Sequence, residues 1–232
     1  MKKKSLSLLI LVACALIAVP VAAQHPAGLL AVHGIDGRDL GLDQSLPVDV
    51  AIDGACALTD FQFGQTVGPV ALPRGTYSIA ISLSDGDCGG AVVIESDVKF
   101  RAGQFKSVVA HLDLDGAPTA SVFKINNDEL RDGFGRVYVA HTANAPRVDI
   151  TAKPRGSEGV VFTVKNGQAG TADVASGRWT SRIYPALAPT QVAGPVRFRA
   201  RSNEILAIYA VGTFPDTFNI LSQRIPTGPL PE

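Results

Sequence analysis

The stretch VYVAHTANAPRVDI, Val137 to Ile150, is an apolar strand-like run ending in a His, then a turn-rich passage, then a Val-Asp-Ile strand start. Nearer the beginning, LLAVHGIDGRDLGLDQSLPVDVAI, Leu29 to Ile52, has the same order: apolar run, His33, turn residues, Val48-Asp49-Val50. The parallel continues downstream. Pro73-Arg74-Gly75-Thr76-Tyr77, Lys99-Phe100-Arg101-Ala102 and Ser107-Val108-Val109 follow the first passage. Ala175-Ser176-Gly177-Arg178-Trp179, Arg197-Phe198-Arg199-Ala200 and Ile205-Leu206-Ala207 follow the second. Corresponding landmarks lie about 100 residues apart, the size of one small sandwich domain. The chain thus reads as two copies of one unit, residues 24–127 and 128–232, joined by the polar stretch Asn126 to Gly133.

Alternation of apolar and polar residues sets the element type. TYSIAIS (Thr76 to Ser82), VKFRA (Val98 to Ala102), FKSVVAHL (Phe105 to Leu112), RVYVAH (Arg136 to His141), PVRFRA (Pro195 to Ala200) and EILAIYAV (Glu204 to Val211) have the period of strands. Turn signals separate them, among them Asp53-Gly54, Asn166-Gly167 and Ser176-Gly177. No long helical periodicity follows the first 23 residues. The expectation is all-β: two tandem antiparallel β-sandwiches with about seven strands each.

The first 23 residues are expected to be a secretory signal peptide. Lys2, Lys3 and Lys4 precede an apolar run from Leu6 to Val21, and Val21-Ala22-Ala23 supplies small residues before Gln24. A rival reading takes Leu11-Val12-Ala13-Cys14 as a lipoprotein box with Cys14 acylated. The apolar run that continues past Cys14 favours plain secretion to the periplasm or beyond, with no membrane span after cleavage. In the exported chain Cys56 and Cys88 remain, an even pair that suggests one disulfide; two buried thiols are the alternative. The formal net charge is zero, so the molecule has no bulk attraction to nucleic acid.

A strand ending in Val-x-His or Val-Ala-His, an Ala-Pro-x-Val-Asp-Val/Ile stretch, a Gly-Thr/Arg-Tyr/Trp strand entry and a closing Val/Ile-Leu-Ala strand resemble the bacterial secreted family called domain of unknown function 4397. Val137 to Ile150 is the closer match, with Thr142-Ala143-Asn144 where the family form has Ser-Pro-Asp. The first copy departs through a longer loop, Gly34 to Leu46. The resemblance implies an Ig-like or transthyretin-like sandwich in exported or surface proteins, and supplies no catalytic residues.

His33 with Asp49, and His141 with Asp149, are the sharpest chemical candidates. Each pair is two thirds of a hydrolytic triad or part of a metal site. No Gly-x-Ser-x-Gly elbow, dinucleotide fingerprint or P-loop accompanies them. The favoured reading is that these four residues lock turns. Asp85 and Asp87, and Asp113 and Asp115, sit in loop-like settings where a loose calcium site is the alternative to solvated turns. Arg197, Arg199 and Arg201 alternate along one strand, which places them on one face. That stripe suits an anionic ligand, or guards a sheet edge. Tyr77 and Trp179 hold equivalent strand positions, and the tail from Ile225 to Glu232 is proline-rich.

The two halves differ in charge. Residues 24–127 hold 12 acids and 6 Lys or Arg; residues 128–232 hold 9 acids and 12 Lys or Arg. Opposite signs favour a packed pair, or separate partners. The functional expectation is an exported, non-enzymatic envelope or extracellular module, without cofactor, that binds a protein or glycan and not nucleic acid. The alternative is a secreted hydrolase or metal-dependent enzyme built on a His-Asp pair.

Overall fold

The computed structural model describes residues 25–154, 158–186 and 193–231. The segment expected to be a signal peptide, Cys14 included, lies outside the described residues. The first unit contains β1 (Ala27–His33), β2 (Val48–Ile52), β3 (Ala55–Phe61), β4 (Thr66–Leu72), β5 (Gly75–Leu83), β6 (Val92–Phe100), β7 (Phe105–Leu112) and β8 (Pro118–Ile125). The second contains β9 (Phe134–His141), β10 (Val148–Pro154), β11 (Val160–Val164), β12 (Gln168–Ala175), β13 (Gly177–Pro185), β14 (Ala193–Ala200), β15 (Glu204–Val211) and β16 (Asn219–Pro226). Each unit thus has eight described strands rather than about seven.

The sheet orders are β4-β1-β7-β8 and β3-β2-β5-β6 in the first unit, and β12-β9-β15-β16 and β11-β10-β13-β14 in the second. Advancing every strand of the first unit by eight reproduces the second. The chain is all-β, two sandwich-like units in tandem. Most pairings are antiparallel, but β1 runs parallel to β7 and β9 parallel to β15.

Local chemistry explains the turns. Asp53 and Gly54 both take left-handed backbone (φ 50° and 76°), the conformation of a tight two-residue hairpin between β2 and β3. Tyr77 and Trp179 act alike at the entries of β5 and β13. Tyr77 Oη donates to Pro73 O (2.8 Å) and Trp179 Nε1 to Ala175 O (3.0 Å), each reaching a carbonyl four residues back.

Hydrogen-bond register corrects the alignment read from Lys99-Phe100-Arg101-Ala102 and Arg197-Phe198-Arg199-Ala200. Gly75 pairs with Phe100, whereas its counterpart Gly177 pairs with Ala200. Tyr77 faces Val98 and Trp179 faces Phe198. A shift of two residues keeps side chains on the same face, so the sequence pattern cannot reveal it.

The four sheets stack as layers. One core lies between the sheets of the first unit, around Val50, Ile79, Val98 and Phe100; another lies between those of the second, around Ile150, Phe162 and Trp179. A third core joins the units. Leu30, Val32, Phe105, Val109, Phe123 and Ile125 from one inner sheet pack on Tyr138, Ala140, Ile205, Tyr209, Val211 and Ile225 from the other. The inner strands β1, β7, β9 and β15 are therefore buried on both faces. Tyr138 and Tyr209 meet edge to face at 6.1 Å in this layer, and burial raises both phenols, Tyr209 to about 12.

Charge does not carry the contact between units. Among the described residues all ion pairs stay within a unit. The long loop Gly34 to Leu46 instead supplies a polar clamp. It folds into a short 3-10 helix, Gly37–Leu40, capped by Asp36, whose side chain accepts from Arg38 N. Asp39 reaches the second unit and accepts from Thr213 Oγ1 (2.9 Å) and Thr217 Oγ1 (2.7 Å). The polar connector is held as well: Asn127 Nδ2 donates to Gly103 O and Gly228 O, and Arg136 donates to the carbonyls of Asn126 and Asp128. In the proline-rich tail Leu230 is buried in the shared core.

Candidate functional site

The paired His and Asp residues occupy equivalent places and do different work. His33 closes β1 and is fully buried. Its Nε2 lies 2.9 Å from Leu46 O, and its Nδ1 accepts from Ile35 N at 3.3 Å. That pattern assigns the neutral ring with its proton on Nε2. Burial lowers its pKa to about 4, against a smaller opposing effect of the Leu46 bond. Asp49 bonds elsewhere. Its carboxylate accepts from Asp60 N, Ser84 Oγ, Asp85 N, Gly86 N and Cys88 N at 2.6–3.2 Å. Burial alone would raise this carboxyl, but the donors outweigh it and hold it well below the usual carboxylate range.

In the second unit His141 Nε2 lies 3.0 Å from Pro146 O, and burial lowers its pKa. Its Nδ1 is buried without a partner among the described residues. The ring borders a small cavity of about 100 Å³ whose other walls are Ala145, Pro146, Val148, Ile150, Phe214 and Phe218, with Arg147 and further apolar groups. Among the described residues no Ser, Cys or carboxylate lines it. Asp149 is half-buried and accepts from Thr163 Oγ1 at 2.7 Å. Neither His-Asp pair is hydrogen-bonded as a dyad.

Cys56 and Cys88 form a disulfide, with Cα atoms 5.6 Å apart, joining edge strand β3 to the loop that Asp49 organises. The acidic turns are closed on themselves. Asp85 Oδ1 accepts from Asp87 N and Gly89 N; Asp113 Oδ1 accepts from Asp115 N and Ala117 N. Among the described residues no group of three or more His, Cys, Asp or Glu is placed to hold a metal ion.

The arginine stripe is shorter than its sequence pattern. Arg197 and Arg199 lie on β14, but Arg201 lies in the following turn, where it pairs with Glu204 at 3.4 Å. β14 and β16 are the edges on one side of the second sandwich. Between them opens a cleft of about 480 Å³ that reaches the space between the sheets. Its walls include Val139, Ile150, Phe162, Ile183, Ile208 and Ile220, and Arg197, Arg199 and Arg224 stand at its rim. In the first unit the corresponding void, bounded by Val50, Ile79, Ile81 and Val108, is about 20 Å³.

Register explains the difference. In the first sandwich Ile52 faces Ile79 across β2 and β5; at the same place in the second, Ala152 faces Ser181. Phe100, buried in the first core, is replaced by Ala200. The filled edge also closes, since β6 packs against β8.

Sequence reasoning missed three features. Asp39 carried no motif, and its partners lie far away in the chain. His111, buried at the end of β7 with Nδ1 near Leu112 O and Nε2 near Ser121 Oγ (both 2.8 Å), was masked by the acidic cluster around it. The cleft became visible only through cross-strand partners.

The family described as domain of unknown function (DUF4397) matches residues 42–151, which supports the resemblance read from the motifs. The match begins before β2 and ends in β10, so it crosses the boundary between units. No curated protein matches the sequence significantly. Among solved structures, the Bacillus anthracis TIE protein is 13% identical with a TM-score of 0.25; the match covers 80% of this chain and 33% of that one. The chain thus spans about a third of that relative's length. A family CBM26 module of Eubacterium rectale Amy13K, solved with maltoheptaose, is 11% identical with a TM-score of 0.27, covering 87% of this chain and 97% of that one. At these scores neither likeness carries an argument about architecture or ligand. Among the described residues no helix is long and apolar enough to cross a membrane.

Proposed function

We propose that the chain is an exported, non-enzymatic binding module of the cell envelope or extracellular space, and that both units are copies of the one family domain. In this reading the disulfide-stapled first sandwich is the structural half, and the second carries the ligand. The observation behind it is the contrast between a closed core of about 20 Å³ void and an open cleft of about 480 Å³ in units of the same strand order. Clefts of roughly 300–1,000 Å³ with apolar walls and a few polar groups suit small ligands. Support also comes from the polar atoms of His33 and Asp49, which are committed to their own loops. A turn lock needs that arrangement, whereas a general base needs a free face beside a second reactive group.

The test uses the exported protein, whose terminus should be Gln24 by mass spectrometry; an acylated Cys14 would make it an anchored protein. His33→Ala and His141→Ala are compared with wild type for thermal stability, for hydrolysis of ester, glycoside and peptide substrates, and for retention on envelope proteins and glycans. The expected result is a lower Tm for both variants and no His-dependent turnover. Loss of a measurable turnover at unchanged Tm would overturn the reading.

A further inference from the structure

Any ligand of the second sandwich must match two things found together there: an apolar interior and a cationic mouth. The interior is lined by Val137, Val139, Phe162, Ile183, Ile208 and Ile220, with no acidic group among the described residues that line it. Ser181 and Ser222 are its uncharged polar side chains. The walls offer few donors and acceptors for sugar hydroxyls, and Trp179 is buried rather than displayed as a stacking platform. An alkyl chain is what such walls accept.

The mouth sets the sign. Arg224 is already engaged, by an ion pair to Glu204 and a bond to Arg199 O. Glu204 is shared between Arg224 and Arg201. Arg197 and Arg199 are exposed, and among the described residues neither guanidinium has a partner. They sit on an edge strand at alternate positions, both bordering the opening. A guanidinium offers a carboxylate two parallel N–H donors in one plane. At the matching positions of the first unit stand Asp97 and Lys99, of opposite charge, beside a filled core. Hollow interior and doubled positive charge therefore occur together in one unit and are both missing from the other.

From this juxtaposition we infer that the second sandwich binds a free long-chain fatty acid, with the alkyl chain between its sheets and the carboxylate on Arg197 and Arg199. The inference rests on the binding-module reading and names the ligand class. A single chain enters from the β14–β16 edge without separating the sheets elsewhere, because β11 packs against β12 and holds the two sheets together at the opposite edge.

The first unit supplies the design of the control. Ala152→Ile with Ser181→Ile installs in the second sandwich the cross-strand pair found at Ile52 and Ile79. Arg197→Ala with Arg199→Ala removes the charge at exposed positions and leaves the interior intact. Hexadecanoate, dodecanoate, dodecanol and butyrate are titrated by calorimetry into the mature protein and both variants, and binding to phosphatidylglycerol vesicles is followed by flotation. Wild type should bind hexadecanoate and dodecanoate one per chain, and butyrate undetectably. The arginine variant should bind them about tenfold more weakly, the effect of losing a charge-assisted contact, with dodecanol unchanged. The filled variant should bind no alkyl ligand and melt no lower than wild type. A filled variant that melts below wild type is replaced by Ala152→Leu alone, with the same expected loss. Overturning results are no binding of hexadecanoate to wild type, equal binding by the filled variant, equal affinity in the arginine variant, or binding only to vesicles. The module reading falls separately, on a turnover that depends on His33 or His141.

Discussion

Asp49 and Asp149 allow a prediction in which one protein contains its own control. Asp49 accepts from four backbone N–H groups and one hydroxyl, and these belong to Asp60 on β3 and to the Ser84–Cys88 loop. Asp149, at the same place in the second unit, accepts from Thr163 alone among the described residues. Asp49→Ala removes an acceptor serving five donors. A bond to a charged group contributes ~1.5–3 kcal/mol, and a buried donor left unmade costs ~1–3 kcal/mol. The loop lies near the surface, and water recovers part of the loss, which leaves about 3 kcal/mol. In a chain of this size that lowers Tm by roughly 6–12 °C. Asp49→Asn keeps one acceptor oxygen and should cost about half as much. Asp149→Ala should cost under ~1 kcal/mol. Urea unfolding of the oxidised protein, followed by circular dichroism, measures all three. An Asp149→Ala penalty equal to or above that of Asp49→Ala would refute the claim that this carboxylate organises only the first unit. The pH dependence has a definite sign. Asp49 has a folded pKa below its unfolded value, so its contribution is complete above about pH 4 and is lost as pH falls further.

His33 gives a second pH signature, at higher pH. Its folded pKa of about 4 lies below the ordinary histidine value of about 6.5, so its stabilisation is present above pH 6.5 and disappears as pH falls through 4. The loss is roughly 3 kcal/mol, and His33→Gln should flatten the Tm profile over that window. Phe105→Ala, at the centre of the shared core, should cost about 3–5 kcal/mol; calorimetry should still show one transition for both units, and a separate early transition of the first unit would contradict the shared core. Asp39→Ala removes the contacts to Thr213 and Thr217. It should cost about 1–2 kcal/mol, and hydrogen exchange should rise at the amides of Thr213 and Thr217, not in the outer sheets.

The strands were legible because period-two runs and turn dipeptides are local signals. FKSVVAHL and EILAIYAV mark β7 and β15 to the residue. The layering was harder to read. LLAV, SVVA and ILAIYAV are near-continuous apolar runs, the pattern of strands buried on both faces, yet their flanking polar residues mimic alternation. The disulfide followed from cysteine parity in a chain expected to be exported. The candidate site was only half legible. Arg197 and Arg199 announced themselves by spacing, but the hollow beside them depends on Ala152 facing Ser181, a pairing set by register across strands. Asp39 and Thr217 lie 178 residues apart, beyond any local pattern.

The core between the units has a further consequence. Equivalent positions line it from both sides: Leu30 and Tyr138, Phe105 and Ile205, Val109 and Tyr209, Ile125 and Ile225. A surface that packs on its own counterpart is the geometry of a two-fold homodimer, here written into one polypeptide. Fusion changes the thermodynamics of such an assembly. A dimer of separate subunits loosens on dilution, whereas here the partner is always present at the high effective concentration set by a short connector. The fused pair therefore keeps its assembly at any concentration. Fusion also lifts the constraint that both partners be identical. One half is free to fill its interior with Ile52 and Ile79 for rigidity, while the other, with Ala152 and Ser181, stays hollow and is held in shape by its neighbour.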